Sequence, residues 1–379
     1  MDHPLLQSYG PFEGWHILLS IGVISIGFFT YQVQKATRLV MLGSSDSRFD
    51  SWSTRIREFI SGWLFQKKVL RDKVAGIMHV LMFWGFLMLS TDMFDLATAN
   101  AFSEKVLPGI LVGPWNGMVE LGYFMALVGC VSALTRRVVF TPEKLKGKSQ
   151  LEGNAILLLI FTITTTSFMV ESAESPSSFW EPLGYWFSEQ GLSEQTVILS
   201  YWAHMLAISV FLFLIPLSKH MHLVMAVPNV FFHDAGPIAR MRPLATGDDG
   251  KAVPLEELDI ESFGVSTYNQ YSWRQLIDGW SCTSCARCQD VCPAYASGKG
   301  LNPMQVIHDV RNYANDHAPI LLAGGQPGET ILERITEEAV WACTTCNACV
   351  DVCPLYIEHV PKLTDLRRNA MMETMEYPE

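Results

Sequence analysis

Eight of the nine cysteines lie in two short segments near the C-terminus. The segments "CTSCARCQDVCP" and "CTTCNACVDVCP" share the spacing C-x2-C-x2-C-x3-C-P. Thiolates at this spacing ligate [4Fe–4S] clusters, whereas a zinc ribbon carries C-x2-C pairs. In bacterial ferredoxins the fourth cysteine of each run ligates the other cluster. The sequence therefore predicts one cluster on Cys282, Cys285, Cys288 and Cys353, and a second on Cys343, Cys346, Cys349 and Cys292.

Histidines in apolar surroundings form a second set of candidate ligands. An ionisable residue inside a membrane span is costly and is a functional hypothesis by default. No C-x-x-C-H occurs, so covalently attached haem is not expected. The candidates for haem b ligation are His16, His79, His204, His220 and His222, while His233, His308, His317 and His359 are expected to be ordinary surface or packing residues.

The elements that would hold these histidines are five apolar segments of membrane-spanning length. They lie at about 14–34, 74–96, 114–135, 154–172 and 197–219, and each approaches the ~20 residues that cross a bilayer. The segments 35–73 and 136–148 carry fourteen Lys or Arg, and the opposite loops carry one, Lys105. The positive-inside rule therefore places the N-terminus outside and the cysteine-rich part in the cytoplasm, where thiols stay reduced.

This orientation gives each histidine a predicted depth. His16 and His204 form an outer pair, and His79 forms an inner pair with His222 or His220. In a continuous helix, the eighteen residues from His204 to His222 make five turns, so both would project from one face about 27 Å apart. This count favours His222 over His220, unless Pro216 kinks the helix. His16 could instead be an interfacial residue beside Trp15.

Three carboxylates near the outer ends of the second and third spans could take up or release protons: Glu120, Asp92 and Asp95. The alternative is that these are interfacial carboxylates without such a role.

Composition and pattern predict two domains and a linker. The chain has 379 residues, is 49% hydrophobic and has a net charge of −11, which argues against a nucleic-acid partner. We expect a transmembrane domain over 1–222, a docking linker over 223–270 and a ferredoxin domain over 271–379. In the ferredoxin domain, "NPMQVIHDVRNYANDH" and "ETILERITEEAVWAC" have helical apolar spacing. The first apolar run lacks a basic n-region and a cleavage site, so no signal peptide is expected.

These motifs resemble known redox families. The membrane half, including "SKHMH", resembles the five-helix cytochrome b subunit of respiratory nitrate reductase and the cytochrome subunit of membrane-bound heterodisulfide reductase. The cysteine-rich half resembles the α-helical diferredoxin of heterodisulfide reductase and of anaerobic glycerol-3-phosphate dehydrogenase. Their order, and "PLYIEHVPKLTDLRRNAMMETMEYPE", are similar to electron-transfer-flavoprotein:menaquinone oxidoreductases. The resemblance implies an all-α membrane bundle joined to a helical ferredoxin domain in a prokaryotic plasma membrane.

Two departures from these families matter. The nitrate reductase subunit has two ligands on its second span, but here only His79 is present and Leu89 stands at the other position, so an outer haem would need His16. The related oxidoreductases also continue into cysteine-rich CCG domains, which are absent from this sequence. We expect that part either as a separate subunit or in a longer chain.

The resulting interpretation is a quinone-linked oxidoreductase subunit. Electrons would pass between a cytoplasmic flavoprotein or CCG-domain iron–sulfur protein, two [4Fe–4S] clusters, two haems b and a membrane quinone, with menaquinone reduction preferred. Quinone reduction couples two electrons to two protons, so a protonatable group should line the quinone pocket, and Glu120, Asp92 and Asp95 are the candidates. One alternative is oxidation of a quinol or methanophenazine to feed a heterodisulfide-reductase-type subunit. Another is a haem-free membrane anchor for a ferredoxin module. An ion pump has little support because the spans carry few charges.

Overall fold

The described chain is predominantly helical. The computed structural model describes residues 4–102, 109–140, 148–173, 176–238, 241, 243–244, 253–257, 263–375 and 377, with side chains for all of these except 6, 92–102, 109–110, 148–149 and 255. The α-helices in chain order are α1 (Gly14–Val40), α2 (Trp52–Phe59), α3 (Lys73–Phe102), α4 (Gly109–Val138), α5 (Lys148–Glu171), α6 (Pro182–Glu189), α7 (Glu194–Leu217), α8 (His222–Phe231), α9 (Trp273–Ser281), α10 (Arg287–Asp290), α11 (Pro293–Ala296), α12 (Pro303–Asp316), α13 (Ala318–Leu322), α14 (Ile331–Ile335), α15 (Glu337–Ala342), α16 (Ala348–Val352) and α17 (His359–Asn369).

Strands are confined to the N-terminal end of the described chain. Strand β1 (Ser8–Tyr9) pairs antiparallel with β2 (Phe12–Glu13). Single turns of 3₁₀ or π helix lie at Pro4–Leu6, Ile60–Leu64, Val69–Arg71, Lys219–Met221, Leu255–Glu257, Tyr268–Gln270 and Ala370–Thr374.

Five helices are long and apolar enough to cross a membrane, as predicted. They cover Gly14–Val40, Lys73–Thr91, Leu111–Val138, Gln150–Glu171 and Glu194–Leu217. Each of these stretches contains at least 19 residues, enough to span the ~30 Å hydrocarbon core at 1.5 Å per residue. The predicted fold class is therefore confirmed.

Contacts divide the chain into two compact units, 1–30 with 69–214 and 31–68 with 215–379. In the first unit, small residues allow α3 and α4 to touch backbone to backbone. A Cβ atom added to Gly85 would lie 2.7 Å from the carbonyl oxygen of Gly122 and 2.8 Å from the amide nitrogen of Ala126. Small residues at such crossings are the usual means of packing helices in lipid, where apolar burial gives no driving force.

The second unit contains the ferredoxin domain and parts of the chain that the sequence analysis placed elsewhere. Its main apolar core joins the last turn of α1 (Leu39) and α8 (Met225) to α9 (Leu276), α12 (Val310) and α17 (Leu363), all of them nearly or fully inaccessible to solvent. These bounds differ from the predicted boundary at residue 222. They differ because two segments distant in sequence complete one core.

The two helices predicted between the cysteine quartets are found, but the second is broken. Residues 303–316 form α12, whereas the second predicted helix is split into α14 and α15 at Thr336, whose φ is 75°. The Thr336 side chain accepts a hydrogen bond from the amide of Ala339 and so caps α15. Capping by threonine offsets part of the cost of a left-handed backbone.

Candidate functional site

The two cysteine quartets adopt the same backbone path. In each, a helix ends directly before the first cysteine, which is extended at φ −66°, ψ 122° for Cys282 and φ −69°, ψ 124° for Cys343. Two non-glycine residues then take the left-handed conformation in each quartet: Ser284 and Ala286 in the first, Thr345 and Asn347 in the second. Left-handed residues in a tight turn direct successive amide groups into one concavity, which suits an anionic iron–sulfur cluster.

The first three cysteines of quartet one lie near the last cysteine of quartet two. Cys282 and Cys353 share one buried apolar cluster with Ile307 and Ile357. Burial, and then the nearby Cys285 and Cys282 thiols, raises the pKa of Cys353 to about 12. The fold thus brings together Cys353 and the residues with which it was predicted to ligate.

The reciprocal set surrounds a cavity. Its lining includes Cys292, Cys343, Cys346 and Cys349, and its empty volume is about 340 Å³ including space open to solvent. Burial, followed by the neighbouring Cys343, Cys346 and Cys292, raises the pKa of the Cys349 thiol. All four predicted ligands of the second cluster therefore face one space.

The arrangement fits cubanes better than single metal ions. Among the described residues, no three Cys, His, Asp or Glu side chains converge closely enough to hold one ion. A zinc site would need its sulfurs within a single coordination sphere at about 2.3 Å from the metal. A cubane instead holds its thiolates apart at four corners. The donor set, all cysteine with a following proline, matches [4Fe–4S] ligation.

A buried charge network joins the segment before Cys282 to the segment after Cys353. The Asp278 carboxylate accepts hydrogen bonds from Arg274 at 2.8 Å, from Lys362 at 2.5 Å and from the amide of Glu358 at 3.1 Å. Asp278, Arg274 and Lys362 are fully inaccessible to solvent. Burial alone would raise the pKa of Asp278, but Lys362 and Arg274 outweigh it and hold the pKa below its usual value. The network fixes two chain segments that must meet to complete the first site.

A second tie serves quartet two. The Arg367 guanidinium on α17 donates hydrogen bonds to the carbonyl oxygens of Val340, Trp341 and Cys343, and it lies 5.4 Å from the centroid of the Trp341 ring. These carbonyls are at the C-terminal end of α15, where the helix dipole favours a cation. Arg367 therefore holds α17 against the first cysteine of the second quartet.

His308, which was expected to be an ordinary surface or packing residue, lies beside the first site. His308, on α12, places Nε2 3.6 Å from Cys282 Sγ and 3.1 Å from Ser284 Oγ. Burial, and then Arg311, lowers the pKa of His308 to about 4, so the ring is neutral at pH 7. Its spacing in the sequence gives no indication of this contact, because α12 is brought there by tertiary packing.

Two histidines predicted to bind haem share a local geometry. Nδ1 of His204 lies 3.0 Å from the carbonyl oxygen of Ile163, and Nδ1 of His222 lies 2.8 Å from that of Lys219. A carbonyl can only accept, so Nδ1 carries the hydrogen in both rings and Nε2 keeps its lone pair. Metal-ligating histidines are usually held in this way by a backbone carbonyl. Burial lowers the pKa of His222, which favours the neutral form that ligates iron.

The other candidate histidines have different surroundings. His16 is exposed and stacks on Trp15 with ring centroids 3.6 Å apart, and its Nδ1 accepts from the amide of Glu13. Nδ1 of His220 lies 3.1 Å from Ser218 Oγ. His79 lies on α3 and is partly buried.

The five-turn count that favoured His222 over His220 is wrong, because the helix is not continuous from His204 to His222. Helix α7 ends at Leu217, and Ser218 is extended at φ −121°, ψ 179°. Pro216, which has no amide hydrogen, lies in the last turn of α7. His204 and His222 therefore belong to separate helices and to separate compact units.

Of the three carboxylate candidates, Glu120 is the one whose side chain is described. Glu120 is buried, and its Oε1 accepts from the amide of Leu183 at 2.5 Å, in the first turn of α6. Its Oε2 has no hydrogen-bond partner among the described residues. Asp92 and Asp95 lie on α3, but their side chains fall outside the part of the chain whose side chains are described. Glu120 thus uses Oε1 to cap the N-terminus of α6, and this structural role leaves its Oε2 unused in the described part of the chain.

Comparison with known proteins supports the resemblance drawn from the sequence. Residues 274–354 match the 4Fe-4S dicluster domain. The chain is 29% identical to the EtfAB:quinone oxidoreductase of Syntrophomonas wolfei, over 97% of this chain and 56% of that protein. It is 27% identical to the probable iron-sulfur-binding oxidoreductase FadF of Bacillus subtilis, over 93% and 55%. One subunit of the ferredoxin:CoB-CoM heterodisulfide reductase of Methanosarcina mazei is 32% identical over 27% of this chain and 53% of its own length.

The chain spans about half the length of these relatives. No solved structure matches it. The dicluster domain and the oxidoreductase relatives indicate an iron–sulfur protein of electron transfer. The five apolar helices, and the 34% identity over 34% of this chain to a probable membrane-anchored ferredoxin of Chromohalobacter salexigens, indicate a membrane protein.

Proposed function

We propose that this chain is the membrane-bound electron-transfer subunit of a quinone-linked oxidoreductase. It would take electrons from a cytoplasmic flavoprotein or CCG-domain iron–sulfur protein and deliver them to a menaquinone-type quinone. The membrane would be the plasma membrane of a prokaryote, with the N-terminus outside and the cysteine-rich domain in the cytoplasm.

The observation that carries the proposal is the core that joins the ferredoxin domain to the last turn of α1. Ala36 and Leu39 of α1, and Met225 of α8, pack with α9 and α12 in one buried cluster. We expect a domain whose core includes the end of a candidate span to stay at the membrane surface rather than on a free tether. A short and constant distance would favour electron transfer between the domain and the membrane.

The clusters and haem would supply one-electron carriers, whose potentials depend on ligands, hydrogen bonds and exposure. The protein's part is to hold them in order. Cys282, Cys285, Cys288 and Cys353 would ligate one cluster, and Cys343, Cys346, Cys349 and Cys292 the other. Asp278 and Arg367 keep these segments together through the contacts described above.

Haem b ligation is proposed for His204 and His222, whose Nδ1 atoms are fixed by backbone carbonyls. His79 and His16 are the proposed second ligands of the inner and outer haems, and His220 remains the alternative to His222. For the quinone, Glu120 is the better supported protonation candidate because its Oε2 is buried and lacks a partner among the described residues. Asp92 is the other.

A second direction is favoured by the similarity to a heterodisulfide reductase subunit. In that case a quinol or methanophenazine would be oxidised and its electrons passed to a disulfide-reducing subunit. The site residues would be the same, and the potentials of the carriers decide the direction.

The test uses the holoprotein in liposomes that contain menaquinone, with photoreduced deazaflavin as the donor. We expect quinone to reoxidise the reduced protein, and we expect His204→Ala to slow this while the iron–sulfur electron paramagnetic resonance (EPR) signals stay intact. His317→Ala, in the ferredoxin domain, is the matched control. A haem-free anchor predicts identical visible spectra and rates for both variants, and that result would overturn the proposal.

A further inference from the structure

We infer that α2 and its flanking residues form an amphipathic segment that lies in the membrane interface. The segment is residues 49–60, here named the interfacial segment. Its partner is the lipid of the leaflet in which the C-terminal ends of α1 and α7 lie. The inference goes beyond the proposed electron-transfer function and does not depend on it.

Four large apolar side chains of the segment are exposed: Phe49 at 63%, Trp52 at 51%, Ile56 at 47% and Ile60 at 41%. Trp52, Ile56 and Ile60 follow one another at intervals of four residues, so they fall within one arc of the helix surface. Arg55, which lies on one flank of this arc, is 2% exposed. An exposed apolar stripe of this kind marks a surface that is covered in the native state.

The segment is anchored on α8, the helix that follows the last candidate span. Arg55 donates hydrogen bonds to the carbonyl oxygens of Phe231, the last residue of α8, and of His233 just beyond it. Trp52 packs on Phe231 with ring centroids 5.7 Å apart. Helix α8 begins five residues after α7 ends, and the interfacial segment itself follows α1 by nine residues at Phe49. The chain therefore connects the stripe directly to the C-terminal ends of two candidate spans.

Charge favours lipid as the occupant. The stretch 35–73 contains nine Lys or Arg and four Asp or Glu. Three of the four acids are engaged within the protein: Asp46 with Arg48, Asp50 with Arg55 and Glu58 with His233. Arg57, next to the apolar arc, is exposed. A short helix with an apolar face that includes Trp, bordered by basic residues, is the pattern of segments that lie in the headgroup region and attract anionic lipid.

The consequence is a second attachment of the ferredoxin domain. The interfacial segment packs on α8, and α8 packs on α9, which leads to Cys282. Lipid bound along the stripe would give this layer a contact with the membrane besides the chain connections to α1 and α7.

The test is fluorescence quenching of the holoprotein in nanodiscs. The emission of Trp52 is taken as the difference between the wild type and Trp52→Phe, and nanodiscs made with phosphatidylcholine are compared with nanodiscs made with its 6,7-dibromo derivative. We expect bromolipid to remove most of the Trp52 emission and aqueous iodide to leave it unchanged. Trp273→Phe is the matched control, because Trp273 lies in the same unit, donates to the carbonyl oxygen of Asp46 and packs on Phe232; its emission should be insensitive to bromolipid.

A second measurement needs no substitution. A lipid carrying a photoactivated diazirine in its acyl chain should label the peptide that contains residues 49–60 in wild-type nanodiscs. Quenching of Trp52 by iodide but not by bromolipid, or the lack of label on this peptide while the spans are labelled, would overturn the inference and leave the stripe as a surface for a protein partner.

Discussion

Asp278 offers the most quantitative test of how the first cluster site is held together. Replacing it with Asn keeps the volume but removes the negative charge between Arg274 and Lys362, which are both fully inaccessible to solvent. Removing one partner of a buried ion pair typically costs about 3–5 kcal/mol, because the remaining charge is left without compensation. The second compact unit, 31–68 with 215–379, falls in the size range in which each kcal/mol lowers the unfolding midpoint by about 2–4 °C. Asp278→Asn should therefore lower the midpoint by roughly 6–20 °C.

The assay is loss of the cluster absorbance near 400 nm at one fixed heating rate. Lys362→Met is measured alone and together with Asp278→Asn, because a network predicts that the double variant loses less than the sum of the two single variants. Asp316→Asn is the matched control, since Asp316 pairs with Arg334 at the surface and is 57% exposed; exposed pairs contribute at most about 1 kcal/mol. A midpoint for Asp278→Asn within about 2 °C of wild type, or strict additivity with Lys362→Met, would refute the reasoning.

Three further outcomes are expected. Cys353→Ser should abolish the EPR signal of the cluster held by the first quartet, although Cys353 belongs to the second motif; loss of the other signal instead would contradict the crossed ligation. His308→Phe removes the Nε2 atom that lies 3.6 Å from Cys282 Sγ. We expect Nε2–H to donate to this sulfur in the holoprotein, so the substitution should make the potential of that cluster more negative in an EPR redox titration, because hydrogen bonds to sulfur stabilise the reduced form; an unchanged potential would exclude this contact in the holoprotein. The pKa values of Asp278 and Glu358 are held below their usual range, since their cationic neighbours outweigh the effect of burial. The stability that these carboxylates supply is therefore present above their unfolded pKa values and lost as pH falls below about 4; a bleaching midpoint that stays constant from pH 7 to pH 3 would show that they contribute none.

The features that depend on local pattern were predictable from the sequence. The five candidate spans follow from runs of apolar residues, and the cysteine spacing predicts which thiols the fold brings close to one another. The crossed grouping of Cys292 and Cys353 also follows from the ferredoxin pattern, and the structure places each of them beside the other quartet.

The features that depend on tertiary packing were not predictable. Nothing in the spacing indicates that Leu39 completes the ferredoxin core, or that Asp278 and Lys362 pair over a separation of 84 residues. The break at Ser218 arises at the junction of an apolar helix with a polar turn, where Pro216 and the Ser218 cap end the helix before His222. Helix-face counting fails across such a break, because it assumes one uninterrupted helix.

We propose that the membrane helices carry haem b and that the cysteine-rich domain carries two iron–sulfur clusters. The most direct measurement is a dithionite-reduced minus oxidised spectrum of the purified protein, with haem b and non-haem iron quantified per polypeptide. Two haems with about eight irons, the content of two cubanes, is the predicted result. Intact iron content in a folded protein without haem would contradict the claim and leave the five helices as an anchor for a ferredoxin module.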